Sequence, residues 1–387
     1  MDYVQILKDL ISIDTSVPPG KNYAEAIDYL DPLFCKVGFQ TEKIIIPLQH
    51  AENREGRINL LCHRKDAAKP RLIIYGHIDV VPALGWDAFH PWIEEGKIFG
   101  RGSADMKGAI PALLMALERC SDQPLAFSTS IMITVDEEVS QVSQLRYVSQ
   151  FLQPLKNAYF LDLDSNFGYV SIANLGAIHM NIRVKGKSVH SGLSHLGENA
   201  VEKAIPLMEA LMQLKQKVAL RKSKVLANPE TGLDYMVSRL NINMVQGGLK
   251  VNIIPNECII SIDRRLIPEE NAAEARGEIL DTLSGVPGVE WEIDKEYSIP
   301  TIPPCVDPVV DILADIIKAT TGKSGKYGEM GSGDLGSIVV NEWGGRKFGV
   351  GVIRTESNIH GNNEFVYQKD IEQLADIIYS FLITGSR

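Results

Sequence analysis

Apolar positions in the first forty residues recur with a helical period. Val4, Leu7, Leu10 and Ile11 share one face, Pro18-Pro19-Gly20 interrupts the pattern, and it resumes from Tyr23 to Gly38 with a kink expected at Pro32. The period then shortens. Ile44–Ile46 and Asn59–Cys62 read as short strands, and Leu72-Ile73-Ile74-Tyr75 as a buried strand that stops at Gly76. Ile110–Leu117 returns to a helix, and Asp105 just ahead of it stands where an N-terminal cap would. Ser128–Val135 is β-rich and runs into Asp136-Glu137-Glu138; Ala158–Leu161 runs into Asp162-Leu163-Asp164. Lys347–Ile353 is a further β run, followed by a loop carrying His360. The loop 82–99 holds Trp86, Phe89 and Trp92, suited either to lining a pocket or to packing beneath the loop.

Residues 177–294 follow another grammar. Ile178–Val184 alternates as a strand, Val201, Ala204, Ile205, Met208, Leu211 and Met212 form a helical stripe, and Leu240–Val245 and Glu257–Ile262 are strands. A helix over Ala272–Leu283 and a strand over Val289–Ile293 complete a βαββαβ order, the ferredoxin-like α+β arrangement of a small antiparallel sheet with two helices on one face. The expectation is a two-domain α/β protein. A mixed-sheet α/β domain takes residues 1–176 and 295–387, and the α+β segment 177–294 is inserted in it. The Lys/Arg cluster at 215–224 is read as a solvated loop.

The length of 387 residues suits two domains, and 45% apolar with 23% charged residues excludes a disordered or fibrous class. A net charge of −10 argues against nucleic-acid binding and suits a cytoplasmic protein. No run approaches the ~20 apolar residues of a membrane span, and no signal peptide is visible at Met1-Asp2-Tyr3. The five cysteines are scattered without a CxxC pair, which speaks for reduced thiols.

One pattern carries the chemistry. Four apolar strands each run into His, Asp or Glu at or just past their carboxyl ends, and in open α/β sheets sites form in the crevice at that edge. His77, Asp105, Glu137, Glu138, Asp164 and His360 would then share one cleft, with Asp79 behind His77 to orient its ring. So many carboxylates repel one another, and bound divalent cations resolve the conflict. Asp162 and Asp164 share a face if the strand continues, so geometry leaves the choice between them open. Gly331-Ser332-Gly333-Asp334-Leu335-Gly336 spells GxGxxG, but 325–330 does not read as the strand a dinucleotide site needs. The loop around Gly333 suits instead the presentation of backbone N–H groups to a substrate carboxylate.

These residues resemble the M20 metallopeptidases over nearly the whole chain. The resemblance rests on GHIDVVP at 76–82, GRGSADMKG at 100–108, DEE at 136–138, KSVHSG at 187–192, VNIIPNE at 251–257, DRRLIP at 263–268 and HGNNEF at 360–365. It implies two divalent metal ions per chain, zinc first, with cobalt or manganese as alternatives. His77, Asp105 and Asp164 would hold one ion, and Asp105, Glu138 and His360 the other. It implies Glu137 as general base, His190 reaching across a homodimer interface, Arg265 and Asn252 on the substrate, and 177–294 as lid and dimerisation domain. The implied activity is hydrolysis of a small N-acyl amino acid; a dipeptidase or carboxypeptidase of the same family is the alternative, and a metal-free binding protein on this fold a more distant one. The chain departs from many relatives in having Val139-Ser140-Gln141 after the glutamate pair, which could alter the pocket wall, and Asp164 where Glu is frequent. On the strand Cys258–Leu266, Arg265 falls on the polar face and Arg264 on the core side or its edge, where its replacement is expected to matter little for catalysis.

Overall fold

The computed structural model describes residues 1–385 and divides into two compact units. The first comprises Met1–Ile172, Cys305–Tyr327 and the residues from Asp334 onward; the second comprises Ala173–Pro304 and Gly328–Gly333.

The first unit is built on a mixed eight-stranded sheet in the order Gln40–Ile45, Ile58–Arg64, Ser128–Thr134, Arg71–His77, Tyr159–Asp162, Arg346–Gly349, Val170–Asn174, Lys326–Glu329. Its central strands are apolar without alternation because both faces are covered. Leu72 and Ile74 pack with Leu7, Leu10, Leu113 and Phe381 from the helices of one face, while Ile73 and Tyr75 pack with Leu145, Leu152 and Val339 on the other. Arg71–His77 is parallel to both Ser128–Thr134 and Tyr159–Asp162, and Tyr159–Asp162 is parallel to Arg346–Gly349. Four carboxyl ends therefore lie along one edge, which is why the acids and histidines that follow them meet. The helices Tyr3–Ser12 and Tyr23–Lys36 fall where the periodicity placed them, and the second runs through Pro32. Among the described residues, no helix is long and apolar enough to cross a membrane.

The second unit holds a four-stranded antiparallel sheet, Arg239–Gly247, Glu257–Leu266, Gly176–Lys185, Trp291–Ile299 in spatial order. Ile178, Met180, Ile182 and Val184 and the alternate residues Cys258, Ile260 and Ile262 form one core with Leu207, Leu211, Ile279 and Leu283 of its two helices. Those helices start at Asn199 and Asn271, whose side chains accept the first free backbone N–H groups. The α/β class with a second α+β unit is thus as the sequence indicated.

Three local readings are corrected. Asp105 does not cap a helix: the helix spans Ala109–Arg119, and Asp105 lies before it in an extended conformation because the N–H groups of its own loop bond to Glu364. Residues 215–224 are not a loop; they close the helix Ala200–Val218 and open the strand Lys222–Leu226, and Arg221 bridges Glu270 and Glu278. A strand, Lys326–Glu329, does precede the glycine-rich segment, but the helix after it, Asp334–Ser337, is one turn long. The aromatics of 82–99 pack: Trp92 stacks on Phe99 at 4.7 Å across a short antiparallel pair.

Arg264 is fully buried and paired with Glu270, which also accepts from Ser238, Arg221 and the N–H of Ile267. Burial pushes the Glu270 carboxyl up, but the hydrogen bonds from Arg264, Ser238 and Arg221 win and hold it below its ordinary value. Its charge therefore stabilises the fold above the unfolded carboxyl pKa, and that contribution is lost as pH falls through the lower folded value. Arg264→Met is expected to cost on the order of 3–5 kcal/mol at neutral pH by leaving a buried carboxylate short of its partner. In urea unfolding followed by circular dichroism, the gap to the unmodified protein should narrow as pH falls through the carboxylate range.

Candidate active site

His77 ends its strand, and its ring is completely buried. Its Nδ1 lies 3.1 Å from the Asp79 carbonyl and 3.4 Å from Asp79 Oδ1. Asp79 Oδ2 in turn accepts the N–H of Glu138 at 3.0 Å, so one aspartate fixes both an imidazole and the turn that carries the glutamate pair. The other ring nitrogen, Nε2, has no hydrogen-bond partner, and it faces Asp105 Oδ1 at 3.4 Å and Asp164 Oδ2 at 3.8 Å.

Asp105 is shared. While Oδ1 turns to His77, Oδ2 lies 3.1 Å from His360 Nε2, which is also 3.1 Å from Glu138 Oε2. Two groups result, His77–Asp105–Asp164 and Asp105–Glu138–His360, each with its ligand atoms within 4.8 Å of one another, and each could hold a metal ion. The loop around Asp105 needs its glycines. Gly102 has φ +81°, and a Cβ on Gly108 would lie 2.2 Å from the Ser103 carbonyl oxygen.

Asp162 is taken elsewhere. Its Oδ2 pairs with Lys347 Nζ at 2.9 Å and its Oδ1 accepts the N–H of Asp164. The strand stops at Asp162, so the two side chains need not share a face, and Asp164 turns toward His77.

The glutamate pair follows a turn pinned by Asp136. This buried residue has φ +66° and accepts from Tyr23, Arg57 and Gln144 at 2.9, 2.9 and 2.7 Å. The sequence showed Asp136 only as the first acid of a run; two of its partners, Tyr23 and Arg57, come from distant segments. Ser140 and Gln141 donate to Asp334 Oδ2, and the Gln141 amide donates to the Tyr75 hydroxyl at 2.6 Å. The departure at Val139-Ser140-Gln141 thus supports the turn, with Val139 exposed.

The electrostatics are those of a site built for cations. Burial pushes Glu137 well above the ordinary carboxyl range, and Asp164, Glu138 and Asp79 add to it against His77. Burial likewise raises Asp164 and Glu138. Burial opposes a charge on His77, yet Asp105, Asp79 and Asp164 drive its pKa up. Hydrogen bonds to Asp105 and Glu138 lift His360 to about 10, and despite burial the two rings lower Asp105. A buried imidazole nitrogen with no hydrogen bond, surrounded by carboxylate oxygens, fits divalent cations held by nitrogen and oxygen donors.

The remaining candidates lie in the second unit. His190 follows Val189 in a two-residue strand paired with Ile253–Ile254, and its Nδ1 accepts the Gly192 N–H at 3.1 Å. Asn252 is next to that pairing; its carbonyl accepts the Ser191 N–H, and its buried Oδ1 has no partner. Arg265 donates through Nε and Nη2 to Asp263 and through Nη1 to Ser332, which precedes Gly333.

The family model for "Peptidase family M20/M25/M40" matches residues 73–384. The chain belongs to this family. It is therefore a hydrolase acting on amide bonds, a metal-dependent chemistry in this family. The chain is 26% identical over 407 residues, 98% of each protein, to a succinyl-diaminopimelate desuccinylase of Rickettsia canadensis, strain McKiel. It is 28% identical over 364 residues, 90% of this chain and 89% of the other, to the protein of that name from Acinetobacter baumannii, strain AYE. Among solved structures, an M20 family metallo-carboxypeptidase from Sulfolobus solfataricus superposes with a TM-score of 0.76 at 17% identity, covering 99% of this chain and 98% of that one. At that identity the likeness speaks for the fold.

The two aspartates should separate experimentally. Asp164→Asn is expected to lower the number of metal ions bound by the purified protein with little change in its melting temperature. Asp162→Asn should retain the ions and lose on the order of 3 kcal/mol of stability, because Lys347 keeps a buried charge without its carboxylate. Elemental analysis beside thermal melts checks both.

Proposed function

We propose that this protein removes the acyl group from a small N-acyl amino acid, N-succinyl amino acids included, using two divalent cations per chain. The observation that carries the reading is Asp105, whose two oxygens face two separate three-residue groups. His77, Asp105 and Asp164 would hold one cation and Asp105, Glu138 and His360 the other, with zinc as the proposed ion and cobalt or manganese compatible with the same donors. Bound there, the cations would polarise the amide carbonyl and acidify the attacking water.

Glu137 belongs to neither group. Its carboxyl, raised by burial and by neighbouring acids, is the group proposed to take the water's proton and to return it to the leaving nitrogen. Asp79 holds the His77 ring in one tautomer. His190 has its Nδ1 occupied by Gly192, which leaves Nε2 to donate to the developing oxyanion, and it is proposed to do so across a homodimer interface. The second unit serves as lid and dimer contact in this reading. Arg265, set by Asp263 and Ser332, reads the substrate carboxylate, with Asn252 and the backbone at Gly333 beside it in function. The desuccinylase names of the curated relatives support an acyl substrate over a dipeptide. Five free cysteines support a cytoplasmic location.

Three experiments test this. Glu137→Ala should retain close to two ions per chain while kcat falls by at least ~10², whereas Glu138→Ala should lose metal; equal metal loss in both variants would overturn the division of roles. Exhaustive chelation should abolish activity of the unmodified enzyme. Against paired substrates, an N-acyl amino acid should be hydrolysed far better than its carboxamide, and Arg265→Lys should reduce kcat/KM for the acid by about 10- to 100-fold, the loss expected when a charge-assisted fork is removed. Equal rates on acid and amide by the unmodified enzyme would exclude carboxylate recognition.

A further inference from the structure

We infer that Glu364 and Arg101 form a positioning clamp that sets Asp105 and His360 against each other before any cation binds. This rests on the proposal that these two residues are metal ligands.

The two ligand loops leave adjacent strands. Lys97–Phe99 and Phe365–Tyr367 pair antiparallel with Phe99 opposite Phe365, and the Gly100 N–H continues the ladder to the Glu364 carbonyl at 2.9 Å. Asp105 lies six residues beyond Phe99 and His360 five residues before Phe365, so the ladder alone leaves both loops slack. The Glu364 side chain closes one of them. Its Oε2 accepts from Arg101 Nη1 at 2.7 Å and the Gly102 N–H at 3.0 Å; its Oε1 accepts from the N–H groups of Ala104 at 3.0 Å and Asp105 at 3.1 Å. Three amides of one loop converge on one carboxylate that is 1% exposed.

Arg101 closes the other. Besides its bond to Glu364, its Nη2 donates at 3.2 Å to the carbonyl of His360, whose backbone has φ +61°, a region that residues other than glycine seldom adopt. Arg101 is itself 2% exposed and lies beneath the Trp86 ring. One buried ion pair thus grips the backbone at both the shared carboxylate residue, Asp105, and the histidine it faces, His360. Neither residue reaches the metal groups through its own side chain, so each acts through backbone geometry.

The hydrogen-bond inventory makes Glu364→Gln informative. Each carboxylate oxygen faces two N–H donors, so the amide NH₂ of glutamine opposes two donors whichever way it is turned. Arg101→Lys keeps the charge but cannot donate to Glu364 and to the His360 carbonyl with the same planar fork.

The test uses cobalt as the probe, titrated into metal-free protein in a metal buffer and followed by its visible absorption. Folded Glu364→Gln or Arg101→Lys should bind cobalt 10- to 100-fold more weakly than the unmodified protein, the usual cost of losing a residue that orients a ligand, with an altered spectrum at saturation. Loss of stability alone, with affinity and spectrum unchanged in a folded variant, would overturn the inference and leave the metal reading intact. An unmodified protein that binds no cobalt would overturn both. If neither variant folds, amide hydrogen exchange in the metal-free unmodified protein decides: Gly102, Ala104 and Asp105 should be as protected as the central strands, and fast exchange there would overturn the clamp.

Discussion

Asp105 has to face two ways at once, and much of the first unit can be understood from that demand. A carboxylate has two oxygens about 2.2 Å apart, and here one turns to His77 and the other to His360. His77 sits at the end of a central strand, and His360 hangs in a loop near the other end of the chain. For one carboxylate to reach both, the parallel strands must end together and the loops beyond them must be fixed to within a fraction of a bond length. The pairing of Arg71–His77 with both parallel neighbours meets the first requirement, and the hydrogen bonds on Glu364 and Arg101 meet the second.

The cost of that convergence is electrostatic. Asp105, Glu137, Glu138 and Asp164 occupy one low-dielectric pocket, where like charges repel far more strongly than in water. Burial first, and repulsion from the neighbouring acids after it, raise Glu137, Glu138 and Asp164, while the same acids raise both histidines against their burial. Cations would answer that repulsion. Glu137 stands outside both groups, and for that reason the proposed proton transfer is assigned to it.

Several other buried charges around this site are paired. Asp136 is held by Tyr23, Arg57 and Gln144, Asp162 by Lys347, and Arg264 by Glu270. These pairs separate acids that set backbone from acids that face the site. By periodicity alone, without the partners in view, Asp136 is indistinguishable from Glu137, and Asp162 from Asp164.

Hydrophobic period and order of elements were legible in the sequence because they are local. The unbroken apolar run at Leu72–Tyr75 states a strand covered on both faces, the alternation of Cys258, Ile260 and Ile262 states one face of a second sheet, and acids placed after several such strands state a shared edge. The residues of the candidate site were legible for the same reason, as side chains at strand ends within recognisable motifs. What tertiary structure alone decided is which oxygen meets which nitrogen. Asp105 looked like a helix cap because a cap is defined by neighbours in sequence, whereas its loop is held by Glu364, 259 residues away. Arg264 and Arg265 are adjacent in the chain and differ by one step of the pleat, but only the packed sheet shows one buried against Glu270 and the other turned to Asp263 and Ser332. Periodicity is written along the chain; hydrogen-bond partners separated by hundreds of residues exist only once the chain has closed on itself.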